Sequence, residues 1–194
     1  MNEPLRLLCI DASTDTLSVA VGPDAPGAPV HAYQGPGSAH ASATLLPVIH
    51  DLLAQAGWPL TALDAIVFGR GPGSFTGLRT ACAVAQGLAW GVRSGRHPSG
   101  LPLLPLDTLA AVAEEGREQR RAAGLAVPDV VVAMLDARME EIYVSIESGD
   151  GQVIAGPRLC SPEAMADHVR ASIPVGANVL LAGNVFDVYG GRLA

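Results

Sequence analysis

Residues 69–80 read GRGPGSFTGLRT, four glycines and a proline set between a short apolar run at 65–68 and a segment of helical period. A strand that enters a glycine-rich reversal and leaves as a helix commits the region to an α/β architecture. The reversal needs backbone conformations that glycine adopts at little steric cost, and the helix must start at once. The same layout is also a ready anion site, since unpaired N–H groups and the helix dipole point the same way. However, all 12 basic residues are arginine and the chain has no lysine. The loop therefore lacks the ammonium group of a Walker-type phosphate loop, and a kinase strand lysine, a pyridoxal Schiff base and a lysine general base are excluded with it. Gly-Pro-Gly also serves simply as a sharp reversal, so anion binding and plain turn formation both stay open. Ser74 is positioned as the cap of the following helix. A serine hydrolase is disfavoured, because the G-x-S-x-G spacing fails with Thr at position 76.

The hydrophobic pattern extends this reading in both directions. Residues 5–10 and 17–22 form a hairpin around the polar turn Asp11–Thr16, with a third short strand at 30–33. A helix is expected over 40–56, with Pro47 marking a kink or a late start, and a second over 75–90. A strand at 101–105, a helix at 107–123, a second hairpin at 130–135 and 141–146, a short helix at 161–171 capped by Ser161, and a last strand at 179–182 complete the chain. The charges of Glu114, Glu115, Glu118, Arg117, Arg120 and Arg121 read as a solvated helix face. The two hairpins each carry an aspartate at a strand end, Asp11 and Asp136, which suggests two related lobes, residues 1–105 and 106–194.

Hydrophobic residues at 49% and charged residues at 16% supply a buried core. The net charge of -7 gives no overall attraction to phosphate backbones or anionic lipid. Cys9, Cys82 and Cys160 are odd in number and far apart, which points to a reducing compartment. Neither a signal core nor an apolar stretch of the ~20 residues that a membrane helix needs is seen, so the reading is cytoplasmic. The five histidines never fall three or four residues apart and no C-x-x-C occurs, so no metal ligands are assigned. Asp11 and Asp136 could hold a cation-bound water in a nucleotide cleft or act as ordinary turn residues.

Taken together, LLCIDASTDTLSVAVG, GRGPGSFTGLRTACAVAQGLAW, PLLPLDTLAAVA and VVVAMLDARMEEIYVSIE resemble, in this order, the TsaB (YeaZ) family, required for threonylcarbamoyladenosine at position 37 of tRNAs. The resemblance implies the actin-like ATPase (ASKHA) fold, two lobes each a mixed β-sheet with helices. It also implies vestigial phosphate loops at Asp11, Ser13, Gly71, Gly73, Ser74, Thr76 and Asp136. The implied role is non-catalytic: pairing with a TsaD-type catalytic subunit, helping to recruit a TsaE-type ATPase, and homodimerising in isolation, with tRNA met only through the complex. No intrinsic cofactor is implied, although a nucleotide at the partner interface is compatible. The surface assigned to partners comprises Leu45, Leu46, Ile49, Leu52 and Leu53 on the first helix and Gly77, Leu78, Ala81, Cys82 and Ala85 on the second. Family members usually continue past the position of Ala194, so a short C-terminal lobe is expected, as a natural form or a truncated piece. Competing readings are an actin-like nucleotide hydrolase using Asp11, the GPGSFTG loop and Asp136, and a metallopeptidase.

Overall fold

The computed structural model describes residues 3–37, 41–92 and 95–193; His40, the expected start of the first helix, lies outside them. The chain divides into two units, Met1–Leu106 and Asp107–Ala194. In the first, β1 (Arg6–Asp11), β2 (Thr16–Pro23) and β3 (His31–Pro36) form an antiparallel meander, and β4 (Ala65–Gly69) and β5 (Leu103–Leu106) add in parallel, giving the order β3-β2-β1-β4-β5. Alternation along β1 and β2 sends Leu8, Ile10, Leu17, Val19 and Val21 into the core. There they meet α1 (Ala41–Ala56) and α2 (Phe75–Gly91). Pro47 sits inside α1, which begins at Ala41 and not after the proline; Pro47 and Ala43, whose carbonyl loses its partner, are both exposed.

The second unit repeats the plan. Strands β6 (Val130–Arg138), β7 (Glu141–Ser148) and β8 (Val153–Cys160) are antiparallel, and β9 (Val179–Gly183) joins β6 in parallel, in the order β8-β7-β6-β9. Three antiparallel strands followed by a parallel one, twice over, is the mixed-sheet duplication of the actin-like ATPase fold. Helix α3 (Thr108–Ala122) covers one face of this sheet and α4 (Pro162–Ser172) the other, each with its own buried cluster. Two elements escape sequence reading: β8, whose VIAGPRLC breaks the strand pattern with Gly156 and Pro157, and the short α5 (Phe186–Tyr189).

The charged run on α3 is not wholly a solvated face. Arg117 is 5% exposed and donates to Glu147 at 2.6 Å, to Glu114 at 3.0 Å and to the Ser148 carbonyl at 3.1 Å. Burial alone would lower the affinity of its guanidinium for the proton, but the bonds to Glu147 and Glu114 overcome this and hold it above its ordinary value.

Helix α2 meets the sheet through its smallest residues. Ala81 and Ala85 are fully buried, and a Cβ added at Gly77 would lie 1.8 Å from the Ala12 carbonyl oxygen. On the exposed side of the same helix, a Cβ at Gly87 would meet nothing within 4 Å. We therefore expect Gly77→Ala to destabilise the protein by about 2–3 kcal/mol through overpacking. Gly87→Ala should stabilise it by about 0.5–1 kcal/mol through helix propensity. Urea denaturation of the two variants checks both signs.

Candidate functional site

The glycine-rich loop is seated on the turn between β1 and β2. Asp11 Oδ1 accepts hydrogen bonds from the Ser13 N–H at 3.0 Å and the Ser13 hydroxyl at 2.6 Å, an Asx turn that fixes residues 11–13. The Ser13 carbonyl, pointing the other way, accepts from the Ser74 N–H at 2.6 Å. Gly73, at φ +155°, passes so close that a Cβ would lie 2.3 Å from this carbonyl oxygen. Gly71 takes φ +99° at the start of the reversal. Ser74 caps α2, its hydroxyl accepting from the Gly77 N–H at 3.3 Å while its carbonyl accepts from the Leu78 N–H at 2.9 Å. Thr76 is exposed on the first turn, its carbonyl accepting from the Thr80 hydroxyl at 3.0 Å. The structure thus brings Asp11, Ser13, Gly73 and Ser74 together. The N–H groups of Ser74 and Gly77, which would face an anion in a phosphate loop, are bonded to the protein's own oxygens.

Asp136 belongs to the second unit and repeats the device. Its Oδ1 accepts from the Arg138 N–H at 2.8 Å, the same two-residue reach as at Asp11, and its Oδ2 faces the Arg138 guanidinium at 3.3 Å. Residues Arg138, Met139 and Glu140 then run through the left-handed region at φ 66°, 52° and 62°, closing the hairpin. Two residues absent from the sequence reading of this site complete it. The Tyr189 hydroxyl of α5 donates to Asp136 Oδ1 at 2.9 Å, and Asn184 Oδ1 accepts from the Asp136 N–H at 2.9 Å. Only the G-N pair after the last strand hinted at the second.

The expected partner stripes resolve differently. Leu45, Ile49, Leu52, Leu53, Ala81 and Ala85 belong to the buried core of the first unit, and Gly77 is buried with them. Of these, only Ile49 and Leu53 reach a surface groove, at its floor. Helical period identifies an apolar face but not whether a sheet or a partner covers it, and here the sheet does. Leu78 and Cys82 are half-buried, and Leu46 is exposed at 51%. Leu46 borders an apolar groove of about 480 Å³ lined also by Ile49, Leu53, Trp58, Leu60 and Leu88. On α2 the exposed positions include Ala83, Gly87 and Gly91, with Phe75 and Trp90 toward its two ends; Phe75 lies under the Arg79 guanidinium at 3.6 Å. Among the described residues, no group of three His, Cys, Asp or Glu side chains could hold a metal ion. No described helix is long and apolar enough to cross a membrane.

The tRNA threonylcarbamoyladenosine biosynthesis protein TsaB of Haemophilus influenzae is 37% identical to this chain over 177 residues, 86% of this chain and 68% of that protein. The chain belongs to the TsaB (YeaZ) family. TsaB of Escherichia coli is 35% identical over 139 residues, 72% of this chain but only 53% of its own length, so the chain spans about half of that relative. The solved structure of YeaZ from Pseudomonas aeruginosa matches at a TM-score of 0.76 and 32% identity, covering 98% of this chain and 80% of the other. The family model for TsaD, tRNA N6-adenosine threonylcarbamoyltransferase, matches residues 35–187, which relates this TsaB-family chain to the transferase family as well.

The Tyr189–Asp136 bond generates a test. Burial first, and the Asp136 carboxylate second, push the Tyr189 phenol above its ordinary value. A group whose proton is held more tightly in the folded state adds stability below its unfolded pKa, about 10 for tyrosine, and loses that stability as pH rises through the folded value. Tyr189→Phe should lower the melting temperature near neutral pH and flatten the loss of stability on the alkaline side, read by thermal melts across the alkaline range.

Proposed function

We propose that this chain is an accessory, non-catalytic subunit of the machinery that transfers threonylcarbamoyl to N6 of adenosine 37 in tRNA. In this reading it acts in the cytoplasm, binds and activates a TsaD-type catalytic subunit together with a TsaE-type ATPase, and pairs with itself when alone. The observation that carries the proposal is the identity with TsaB over most of the chain. The loop geometry supports an accessory role, because the Ser74 and Gly77 N–H groups at the start of α2 are already taken by the Ser13 carbonyl and the Ser74 hydroxyl. Any nucleotide in the working complex is then held with the partner, and the chain carries no cofactor of its own. The net charge of -7 suits a subunit that meets tRNA only through its partner.

In this reading the partner surface lies on the exposed faces of α1 and α2. A glycine at an exposed mid-helix position costs about 1 kcal/mol relative to alanine, and no internal contact requires one at Gly87; Gly91 ends the helix on the same side. With Ala83 they leave a bare strip along which another helix can approach closely. Exposed Leu46 and Phe75 supply apolar area nearby.

Gly87→Glu and Leu46→Asp should leave the fold intact. Each should reduce co-purification with a TsaD-type subunit and the threonylcarbamoyladenosine content of tRNA by tenfold or more, measured by nucleoside mass spectrometry after complementation. Wild-type modification in both variants would sink this assignment of the surface. Loss of modification on deleting the chain tests the function itself.

A further inference from the structure

We propose that a pocket beside the start of β1, within the first unit, binds a free α-amino acid with an apolar side chain. The pocket, of about 520 Å³, takes its walls from the segment before β1, the end of β2, the loops that follow α1 and α2, and the residue before β4. That volume is typical of small-molecule sites. The glycine-rich loop lies at the other end of β1, and the apolar groove beside α1 shares only Trp58 with the pocket.

The walls are tied to the sheet and the core. Asp64 Oδ2 accepts from the Arg6 N–H at 2.8 Å, and the Asp64 N–H donates to the Arg6 carbonyl at 2.8 Å. Its Oδ1 accepts from the Arg96 guanidinium. Both carboxylate oxygens are thus engaged and the side chain is only 12% exposed, so Asp64 holds and neutralises Arg96 and is not on offer to a ligand. One residue before Arg6, the Leu5 N–H donates to the Asp24 carboxylate while its carbonyl accepts from the Asp24 N–H at 2.9 Å. The Trp58 N–H donates to the Leu53 carbonyl at 3.0 Å, and the residue packs against the first unit's core. A site already formed before its ligand arrives loses little affinity to ordering.

Two charges are left over. The Arg6 guanidinium lies over the Trp58 ring, 5.4 Å from its centroid, with no carboxylate bonded to it among the described residues. Glu3 lines the same pocket and has no cationic partner among them either. The two arginines, the aspartate and the glutamate of the lining sum to zero charge. A simple anion would satisfy Arg6 and be repelled by Glu3, and a simple cation would meet the reverse. A zwitterion answers both: its carboxylate takes the forked N–H donors of Arg6, and its ammonium donates to Glu3. A free α-amino acid carries these two charges on one carbon, which a residue inside a peptide does not. Around the charges, Pro4, Leu5, Pro23 and Trp58 form an apolar wall, where Leu5 is 46% exposed, so the side chain that completes the pocket is apolar and large.

The test is calorimetric titration of the full chain with a panel of free L-amino acids, with thermal melts of the same mixtures. The expected result is saturable binding of a large apolar member, leucine, phenylalanine or tryptophan, with a Kd below about 1 mM and a Tm that rises with its concentration. The N-acetyl and the amide forms of that amino acid each remove one charge, and each should bind at least tenfold more weakly. Glu3→Gln and Arg6→Gln should each weaken binding at least tenfold with an unchanged circular dichroism spectrum. Should Arg6→Gln disturb the start of β1, Glu3→Gln, on an exposed segment outside the strand, decides alone. No saturable heat with any member of the panel overturns the proposal, as do capped forms that bind as tightly as the free amino acid. Binding that Glu3→Gln leaves unchanged overturns it as well, since the pocket would then be a plain carboxylate site.

Discussion

The first unit is organised by a contact between two stretches of backbone. Helix α2 reaches the turn after β1 so closely that the Ala12 carbonyl occupies the space of a Gly77 side chain, and the Ser13 carbonyl that of Gly73. An α-carbon can come this near a carbonyl only where no β-carbon exists, which makes the two glycines a condition of the packing. The rest follows in order. The close approach lets the Ser74 N–H bond across to Ser13 and start the helix, and the helix then continues with Ala81 and Ala85 against the strands. Larger residues along that line would lift the helix and open the core beneath it.

The same contact decides what the loop can do. A phosphate-binding loop holds its N–H groups open toward the ligand, so that the anion replaces water and not protein. Here Ser74 and Gly77 donate inward and Asp11 is drawn into its own turn by Ser13. The interactions that make the reversal rigid occupy two of the N–H groups at the start of the helix.

Much of this was legible in the residues. Periodicity located both hairpins and the main helices, and Ser74 and Ser161 were recognisable caps because capping is local chemistry. The strand β8 was not legible, since Gly156 and Pro157 argue against a strand until one sees that it lies at an edge where the missing donor costs nothing. The burial of the expected partner stripes was not legible for a related reason. The leucines of α1 and the small residues of α2 form apolar stripes of the right period, but a stripe does not say what covers it. That nothing packs against Gly87 is likewise known only once its surroundings are seen. The Tyr189–Asp136 bond spans 53 residues, and no local pattern announces it.

The two aspartates show how one device can serve two ends. Asp11 ends β1 and Asp136 stands two residues before the end of β6, and each accepts from the N–H two residues on, so each begins as an ordinary Asx turn. What distinguishes them is what else reaches the carboxylate. At Asp11 the second donor is Ser13, within the same turn, and the far side of that turn is taken by the glycine loop. At Asp136 the second donor is Tyr189 from α5, and Asn184 ties the backbone from the same connection. A carboxylate that gathers donors from a distant segment anchors that segment, because each charge-assisted bond made within the fold is one the unfolded chain leaves to water. The first aspartate thus shapes the seat of a helix, and the second fastens the segment after β9 to the sheet whose edge that strand forms.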